Sequence, residues 1–358
     1  MEFLQLFAAV DQNMTTTSDI GNGEPLYDMD GNEMPNNLKV FYDTELLENA
    51  KPEMIYAQFA KRQALPKHRG SSVEWRKWNT FDRASALQEG VIPSGQKFGM
   101  STKTGTIRQY GTYATISDRL DMRAYDDIIL GATEEMASSL AQTQEKLIRD
   151  ALLTNTNVLY CDNVKEDGTF VSTPQSPGEM QCFDGVMSTL TPDMVAKAVT
   201  LMKKNRVPTI DGKYVAVIHP SVAYDLRKSS AWVEAHKYAS PAEIFNGEIG
   251  QLHGCRFIEN VFAPVFLDEE NMNQQGSVTY ATYFFGKDAF GIIDPAGGAE
   301  MVIHDKSQIG GPLNQYSTVG YKLETNGATI LYEERILRVM SCSSCSAGDQ
   351  PNVGEDYE

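Results

Sequence analysis

The chain has few basic residues, few cysteines and no long apolar run. Lys and Arg number 31 against 48 Asp and Glu, a net charge of −17, which makes the whole chain a poor general binder of nucleic-acid phosphates. Its five cysteines are an odd, scattered set that fits a reducing compartment better than a disulfide framework. Nothing approaches the roughly 20 apolar residues that span a membrane. The first residues lack the positive start of a secretion signal, so we expect synthesis in the cytoplasm.

The composition is that of a globular protein, with 41% hydrophobic and 22% charged residues. A length of 358 residues predicts two lobes, or one lobe with large extensions. The first 38 residues are polar and contain many Gly, Pro and Asn breakers, which is typical of an arm without a core of its own. A short helical pattern over 40–61 follows, and Pro52 divides it.

Residues 61–117 are predicted to form a protruding hairpin. The segments 72–78 and 104–117 are rich in residues that favour strands, and about 25 residues with several Gly and Pro separate them. An isolated hairpin is marginal in water, so this one is expected to lie on a neighbouring copy. Trp75 and Trp78 are three positions apart and therefore face opposite sides of a strand. Either one ring packs on its own subunit and the other on a neighbour, or both seal their own lobe.

The charge distribution supports contact between copies. Residues 61–115 contain ten Lys/Arg and three Asp/Glu, a net charge of +7, whereas the rest of the chain carries −24 and residues 1–60 alone carry −9. Opposite charges in one chain predict head-to-tail pairing of copies. The alternative is a solvated basic loop without a partner. The residues expected to make the inter-subunit contact are Trp75, Arg76, Lys77, Trp78, Arg83, Lys97, Lys103 and Arg108.

The rest of the chain reads as mixed helix and strand. Apolar residues at three- to four-residue spacing predict one long helix over 126–153, roughly 40 Å in length. Residues 190–300 mix helices and strands in the α+β manner, with a helix begun by Thr191 and Pro192, a buried strand over 214–218 and a helix begun by Ser240. A last strand over 329–340 is expected to return to the long helix, and the tail after Ser341 is expected to be flexible.

No motif predicts catalysis, a cofactor or a metal site. Cys342 and Cys345 have C-x-x-C spacing but no second pair for zinc and no thioredoxin-like context. His219 and Ser221 lack the G-x-S-x-G context of a nucleophile. The segment 28–33 superficially resembles a calcium loop, but it has its glycine too early and no acid at the twelfth position. The glycine pairs are not followed by the Lys of a phosphate-binding loop.

The order and spacing of several short runs resemble the major capsid protein family of tailed bacteriophages typified by coliphage N-four. The resemblance covers about residues 40–340, and no single run is specific by itself. The runs are Tyr56–Ala60, Pro66–Lys67, Val73–Arg76, Leu87–Val91, Gln109–Gly111, Ser117–Asp118, Val217–Ser221, Tyr224–Leu226, Phe245–Gly250, Gly254–Glu259 and Ser317–Lys322.

That family has the Hong Kong 97 capsid fold, an α+β fold, and the resemblance implies its parts here. They are an N-terminal arm (1–60), an extended β-hairpin called the E-loop (61–117), a peripheral domain with a long spine helix (118–189), an axial domain (190–315), return strands of the peripheral domain (316–341) and a flexible C-terminal tail (342–358).

The resemblance also implies a function. The chain would be the major head subunit of a tailed phage, assembling in the bacterial host cytoplasm as hexamers and pentamers into an icosahedral virion shell. The shell would enclose double-stranded DNA without sequence-specific binding, and no enzyme activity, cofactor or membrane is expected. Expected partners are other copies, a separate scaffolding protein, a portal and decoration proteins. Some relatives crosslink through Lys and Asn, which draws attention to Lys97 and Lys103, although no pattern here indicates a crosslink.

Three alternatives stay open on sequence grounds. An encapsulin-like nanocompartment shell has the same fold and differs by its protein cargo. A soluble cytoplasmic α+β enzyme is disfavoured by the missing catalytic spacing, and a cell-surface array protein by the missing signal peptide.

Overall fold

The computed structural model describes residues 54–353 with gaps, together with three short strands nearer the N-terminus. The gaps are 69, 79–80, 82, 85, 87–89, 91, 93–94, 124–127, 166, 183–184, 230–231, 233–247, 268–277, 297, 305, 307–312, 314 and 347–348. The helix expected at 240 and the calcium-like segment 28–32 lie outside the described residues. So does most of the helical pattern over 40–61, of which residues 56–59 form a single 3-10 turn.

The elements follow one another in chain order. The strands are β1 (Met14–Thr15), β2 (Leu26–Tyr27), β3 (Glu33–Met34), β4 (Lys61–Leu65), β5 (Ser72–Trp78), β6 (Met100–Thr106), β7 (Arg108–Ser117), β8 (Val158–Tyr160), β9 (Asn163–Lys165), β10 (Phe170–Ser172), β11 (Val186–Met187), β12 (Tyr214–Ile218), β13 (Glu248–Leu252), β14 (Cys255–Glu259), β15 (Val265–Leu267), β16 (Val278–Phe285), β17 (Phe290–Pro295), β18 (Ala299–His304), β19 (Tyr316–Thr325), β20 (Thr329–Ile330) and β21 (Ile336–Ser341). The helices are α1 (Asp118–Arg123), α2 (Ile128–Leu152), α3 (Pro192–Lys204) and α4 (Pro220–Lys228).

A mixed sheet in the order β13-β14-β12-β16-β21-β8, with β15 beside β16, forms the largest layer. Its central strands are continuous apolar runs because both faces are covered. Ala216, Ile218 and Phe284 pack in the core that contains α3 and α4. Val217 and Phe285 point the other way, into the core that contains the end of α2. The predicted strand at 214–218 and the helix begun by Thr191 and Pro192 are confirmed.

A four-stranded sheet, β1-β7-β19-β18, covers part of the long helix α2. The predicted helix over 126–153 is confirmed at 128–152. Tyr321 on β19 fixes the sheet to the helix, because its hydroxyl lies 3.2 Å from Ser139 Oγ and 3.0 Å from Thr143 Oγ1. The sheet and the helix therefore form one body, joined by polar as well as apolar contacts.

The segment 61–117 differs in detail from its prediction. The strand pairing with β5 is β6, in antiparallel register from Ser72 opposite Thr106 to Trp78 opposite Met100. The expected single strand over 104–117 divides at Ile107, whose N–H donates to Ser71 O at 2.8 Å. Beyond that residue, β7 leaves the hairpin and pairs with β19 over ten residues. The hairpin is therefore connected to the four-stranded sheet directly, because β6 continues through Ile107 into β7.

The last predicted strand is divided, and its second part returns to the end of the long helix. The run 329–340 is broken by a 3-10 turn at Glu333–Arg335, and β21 lies between β16 and β8 in the large sheet. Its first residue, Ile336, packs against Ile148 and Leu152 at the end of α2. Five of the six residues of β21 are buried, which fits an interior strand.

Two further expectations about the C-terminal part also need correction. Cys182 and Cys342 form a disulfide, so the expectation of free thiols was wrong for this pair. The described residues 349–353 of the expected flexible tail are held against the large sheet, since Asn352 N donates to Val265 O at 3.1 Å and Asn352 Nδ2 to Ala263 O at 3.0 Å. Among the described helices, none has the length and apolar character needed to cross a bilayer.

Candidate assembly interface

Trp75 anchors the hairpin to its own subunit. The ring is only 9% exposed and packs with Ile293 and Leu331. Glycine makes the space, because a Cβ at Gly291 would stand 2.9 Å from the ring and one at Gly105 would stand 2.8 Å from it. Trp75, expected to contact a neighbour, is therefore an internal residue.

Two of the predicted contact lysines also bind their own subunit. Lys77 Nζ lies 3.8 Å from Glu334 and 4.7 Å from the ring centre of Tyr332. Lys103 Nζ lies 3.9 Å from Glu333. Such exposed pairs contribute about 0–1 kcal/mol each, so they orient the base of the hairpin more than they stabilise it.

The opposite face of the hairpin carries an exposed stack of three aromatic rings. Trp78 and Phe98 stack with ring centres 4.3 Å apart, and Phe81 stacks on Phe98 at 5.4 Å. Trp78 remains 57% exposed and Phe81 56%. Strand alternation explains the split, since Trp75 faces the body and Trp78 faces away. An exposed apolar cluster of this size is typical of an interaction surface.

The remaining predicted cations lie along the hairpin or at its base. Arg83 and Lys97 are exposed and have no ion-pair partner among the described residues. Arg76 lies 3.7 Å from Glu74 on the same strand face. Arg108 lines a cavity of about 470 Å³ with Lys67 and His68. The outer end of the hairpin is therefore both aromatic and basic.

A groove of about 410 Å³ lies on the four-stranded sheet. Gly111 and Gly320 lie where neighbouring strands approach too closely for a side chain, since a Cβ would stand 2.5 Å from Tyr321 O and 2.8 Å from Thr112 O respectively. Tyr113, Val302 and His304 are among the groove's lining residues. The groove is therefore a shallow, partly apolar candidate binding site on the surface.

Glu145 joins three parts of the subunit from inside the long helix. Its Oε1 accepts from Ile55 N at 3.1 Å, Tyr56 N at 3.0 Å and Asn260 Nδ2 at 2.7 Å. Arg149, one turn later, is also fully buried, and its two terminal nitrogens have no hydrogen-bond partner among the described residues. Sequence reasoning missed both, because Glu and Arg on a long helix normally face solvent.

Burial raises the pKa of Glu145 to about 7, against the lowering effect of its three hydrogen bonds. Since the folded chain holds this proton more tightly than the unfolded chain, the stabilisation is complete below pH 4.5 and is lost as the pH rises to about 7. The difference amounts to about 3 kcal/mol. Glu145→Gln keeps the accepting oxygen and cannot ionise, so we expect its free energy of unfolding to lack this loss of about 3 kcal/mol over the interval.

Urea unfolding of both proteins at pH 5, 6, 7 and 8 measures this effect, and the difference between the two curves isolates Glu145 from other titrating groups. We expect the variant to gain relative stability at pH 8. Parallel curves would contradict the assignment and mean that Glu145 is ionised throughout.

Ser221 and His219 do not form a nucleophile and base. The Ser221 hydroxyl donates to Asp349 at 2.5 Å, and His219 Nδ1 accepts the Ser221 backbone N–H at 3.3 Å as the cap of α4. Tyr280 also donates to Asp349 at 2.5 Å. Burial lowers the pKa of His219, with Asp349 opposing the shift. The cluster holds the C-terminal segment in place, and within the described residues no three metal-binding side chains converge.

Comparison with known proteins identifies relatives of this architecture. A family model described as phage capsid protein matches residues 101–326, well over half of the chain. The capsid of Ralstonia phage GP4 matches with a TM-score of 0.63 at 14% identity, over 89% of this chain and 97% of that one. The capsid of Helicobacter pylori bacteriophage KHP30 matches with 0.62 at 11%, over 90% and 99%.

An encapsulin is also similar in fold. The SrpI encapsulin of Synechococcus elongatus matches with a TM-score of 0.51 at 8% identity, over 84% of this chain and 95% of that one. No curated protein sequence matches the chain. The expected α+β fold of the Hong Kong 97 type agrees with these structural likenesses.

Proposed function

Because the chain belongs to the phage capsid protein family, we propose that it is the major head subunit of a tailed bacteriophage, whose hexamers and pentamers close into an icosahedral shell around double-stranded DNA. The family match over 101–326, which includes the long helix and most strands of the two larger sheets, carries this proposal. A net charge of −17 suits a wall that encloses DNA without binding it. The work of such a chain is association, and no enzymatic role is assigned to it.

The hairpin is the part through which one subunit reaches the next. Its base is fixed by Trp75, while Trp78 and Arg76 lie on the opposite strand face and Arg83 and Lys97 are exposed. Residues outside 61–115 carry −24, so another copy is the partner whose charge complements this end. The acidic segment 1–60, an expected receiver, lies largely outside the described residues.

We propose that the groove on the four-stranded sheet of one copy binds the aromatic stack of an adjacent copy. A hairpin cannot fold onto its own groove, because β6 runs extended for seven residues, roughly 23 Å, away from β7. Tyr113 is exposed in the groove and offers a ring for stacking. Head-to-tail placement of this kind, with the hairpin of each copy on the groove of the next, closes into a ring of copies.

Electron microscopy of the purified full chain, after size-exclusion chromatography, tests the proposal. We expect closed shells, tubes or hexamer-sized rings, either from the chain alone or on co-expression with a scaffolding protein. A scaffolding protein, a portal and decoration proteins are the further partners that we propose. A monomer under both conditions would contradict a shell-forming role.

The encapsulin-like compartment is the second candidate, because the SrpI encapsulin shares the fold. The content of the lumen separates the two. Nuclease-resistant DNA in particles from infected cells supports a phage head, whereas a co-purifying cargo protein without DNA supports a compartment.

A further inference from the structure

The five cysteines divide into three chemically different groups. Cys161 and Cys255 are fully buried, and burial raises the pKa of both thiols, which makes them inert. Cys182 and Cys342 form the disulfide. Cys345 is exposed and free. The chain thus carries one bridge and one accessible thiol, three residues from one end of that bridge.

The bridge fastens a peripheral loop to the large sheet. Cys342 follows β21 directly, is fully buried, and donates its N–H to Ser188 O at 2.8 Å. It packs with Met180 in a small core separate from the two main ones. Cys182 precedes β11 and is half-buried. The two cysteines are 160 residues apart, so the bridge closes a very long loop of the chain.

The exposed thiol is held in a defined turn rather than in a free tail. Cys345 N donates to Ser343 Oγ at 3.1 Å, and Ser343 Oγ donates to Ser221 O at 2.8 Å. Ser344 N donates to Asp225 at 2.9 Å. Residues 344 and 345 form a turn directly after Cys342, and two intervening residues are the spacing of the C-x-x-C motif, across which a disulfide forms.

We propose that Cys342-Ser343-Ser344-Cys345 is a thiol–disulfide exchange site. The Cys345 thiolate attacks Cys342 Sγ, a Cys342–Cys345 bond forms as the Cys182–Cys342 bond breaks, and Cys182 leaves as a thiolate that takes a proton from water. One disulfide replaces another, so no external oxidant or reductant is consumed. Attack at a sulfur by a neighbouring thiolate is the ordinary route of such exchange.

The exchange releases the loop without reducing the protein. A bridge across four residues constrains the chain far less than one across 160, so the tether between the loop and the sheet is lost while the disulfide count is unchanged. The exchange therefore removes the covalent link between the loop before β11 and the end of β21. It takes place within one subunit and does not depend on assembly.

Peptide mapping distinguishes the two bridges. No Lys or Arg lies between 339 and 358 or between 166 and 196, so trypsin places Cys342 and Cys345 in one peptide and Cys182 in another. After equilibration of the purified full chain in a glutathione buffer and alkylation of free thiols, we expect both the cross-linked pair of peptides and the internally bridged C-terminal peptide. Cys345→Ser should give the cross-linked pair of peptides alone. In this variant dithiothreitol should free the Cys182 thiol at least about tenfold more slowly than in the wild type.

Cys182→Ser supplies an independent readout, because it removes the competing bridge at a half-buried position. We expect this variant to form the Cys342–Cys345 bridge in the same buffer. Two free thiols in Cys182→Ser, or equal Cys182 release rates for the wild type and Cys345→Ser, would overturn the proposal.

Discussion

Subunits that carry Arg76→Glu, Arg83→Glu and Lys97→Glu together are expected to fold normally and to fail to form shells. All three side chains are exposed on the outer end of the hairpin, and Lys77 is left unchanged because it binds Glu334 of its own subunit. Each lost pair is worth about 0–1 kcal/mol, so the three together weaken one contact by up to about 3 kcal/mol, roughly 150-fold. A closed shell repeats that loss at every subunit.

Circular dichroism and size-exclusion chromatography measure folding and assembly separately. The matched control is Lys165→Glu, Lys203→Glu and Lys287→Glu, which changes the net charge equally at exposed positions away from the hairpin. Higher salt should partly restore assembly of the hairpin variant, because it screens the new repulsion. Normal particles from that variant at low salt would exclude the hairpin cations from the contact.

Trp75→Ala is expected to lower the free energy of unfolding by about 3 kcal/mol. The loss lies at the lower end of the range for large aromatic side chains, because the buried indole N–H has no hydrogen-bond partner among the described residues and already destabilises the native state. The void opens beside Gly105 and Gly291, so the hairpin should detach at its base. Urea unfolding and hydrogen exchange across β5 and β6 measure the two effects.

Trp78→Ala is the matched control for Trp75→Ala, since the same residue type is removed three positions away on the opposite strand face. Its ring is exposed, so unfolding should change by less than about 0.5 kcal/mol. Shell formation should nevertheless fall, because the stack with Phe98 and Phe81 is lost. Equal stability of the two variants would contradict the internal role of Trp75, and normal assembly of Trp78→Ala would contradict the role of the stack.

The sequence predicted those elements whose signals are local. The long helix has a regular apolar repeat over seven turns, and strand β12 is a continuous apolar run, so both were located within a few residues. Alternation along β5 was sufficient to place Trp75 and Trp78 on opposite faces. These signals depend on neighbouring residues only, which is why one sequence suffices for them.

The parts that were missed depend on distant pairings. Nothing local in β21 indicates that it pairs with β16 and β8, and a C-x-x-C spacing does not reveal that Cys342 is bridged to Cys182 instead of Cys345. Burial of Glu145 depends on Asn260, which is 115 residues away. The sequence likewise offers no way to tell that Lys77 and Lys103 bind their own subunit, while Arg83 has no ion-pair partner within the described part of the chain. That division follows from where Glu333 and Glu334 fold.

The place of β21 has a consequence for the order in which the chain can fold on the ribosome. Strand β8 is made early, at residues 158–160, yet its partner in the sheet is β21, at residues 336–341. Domains generally fold during synthesis from the N-terminal side, but pairings between distant segments must wait for both partners. The large sheet is therefore incomplete until residue 341 has been translated. The base of the hairpin waits almost as long, because Trp75 packs on Ile293 and Leu331. A nascent chain therefore has neither an anchored hairpin nor a complete sheet with which another copy could associate.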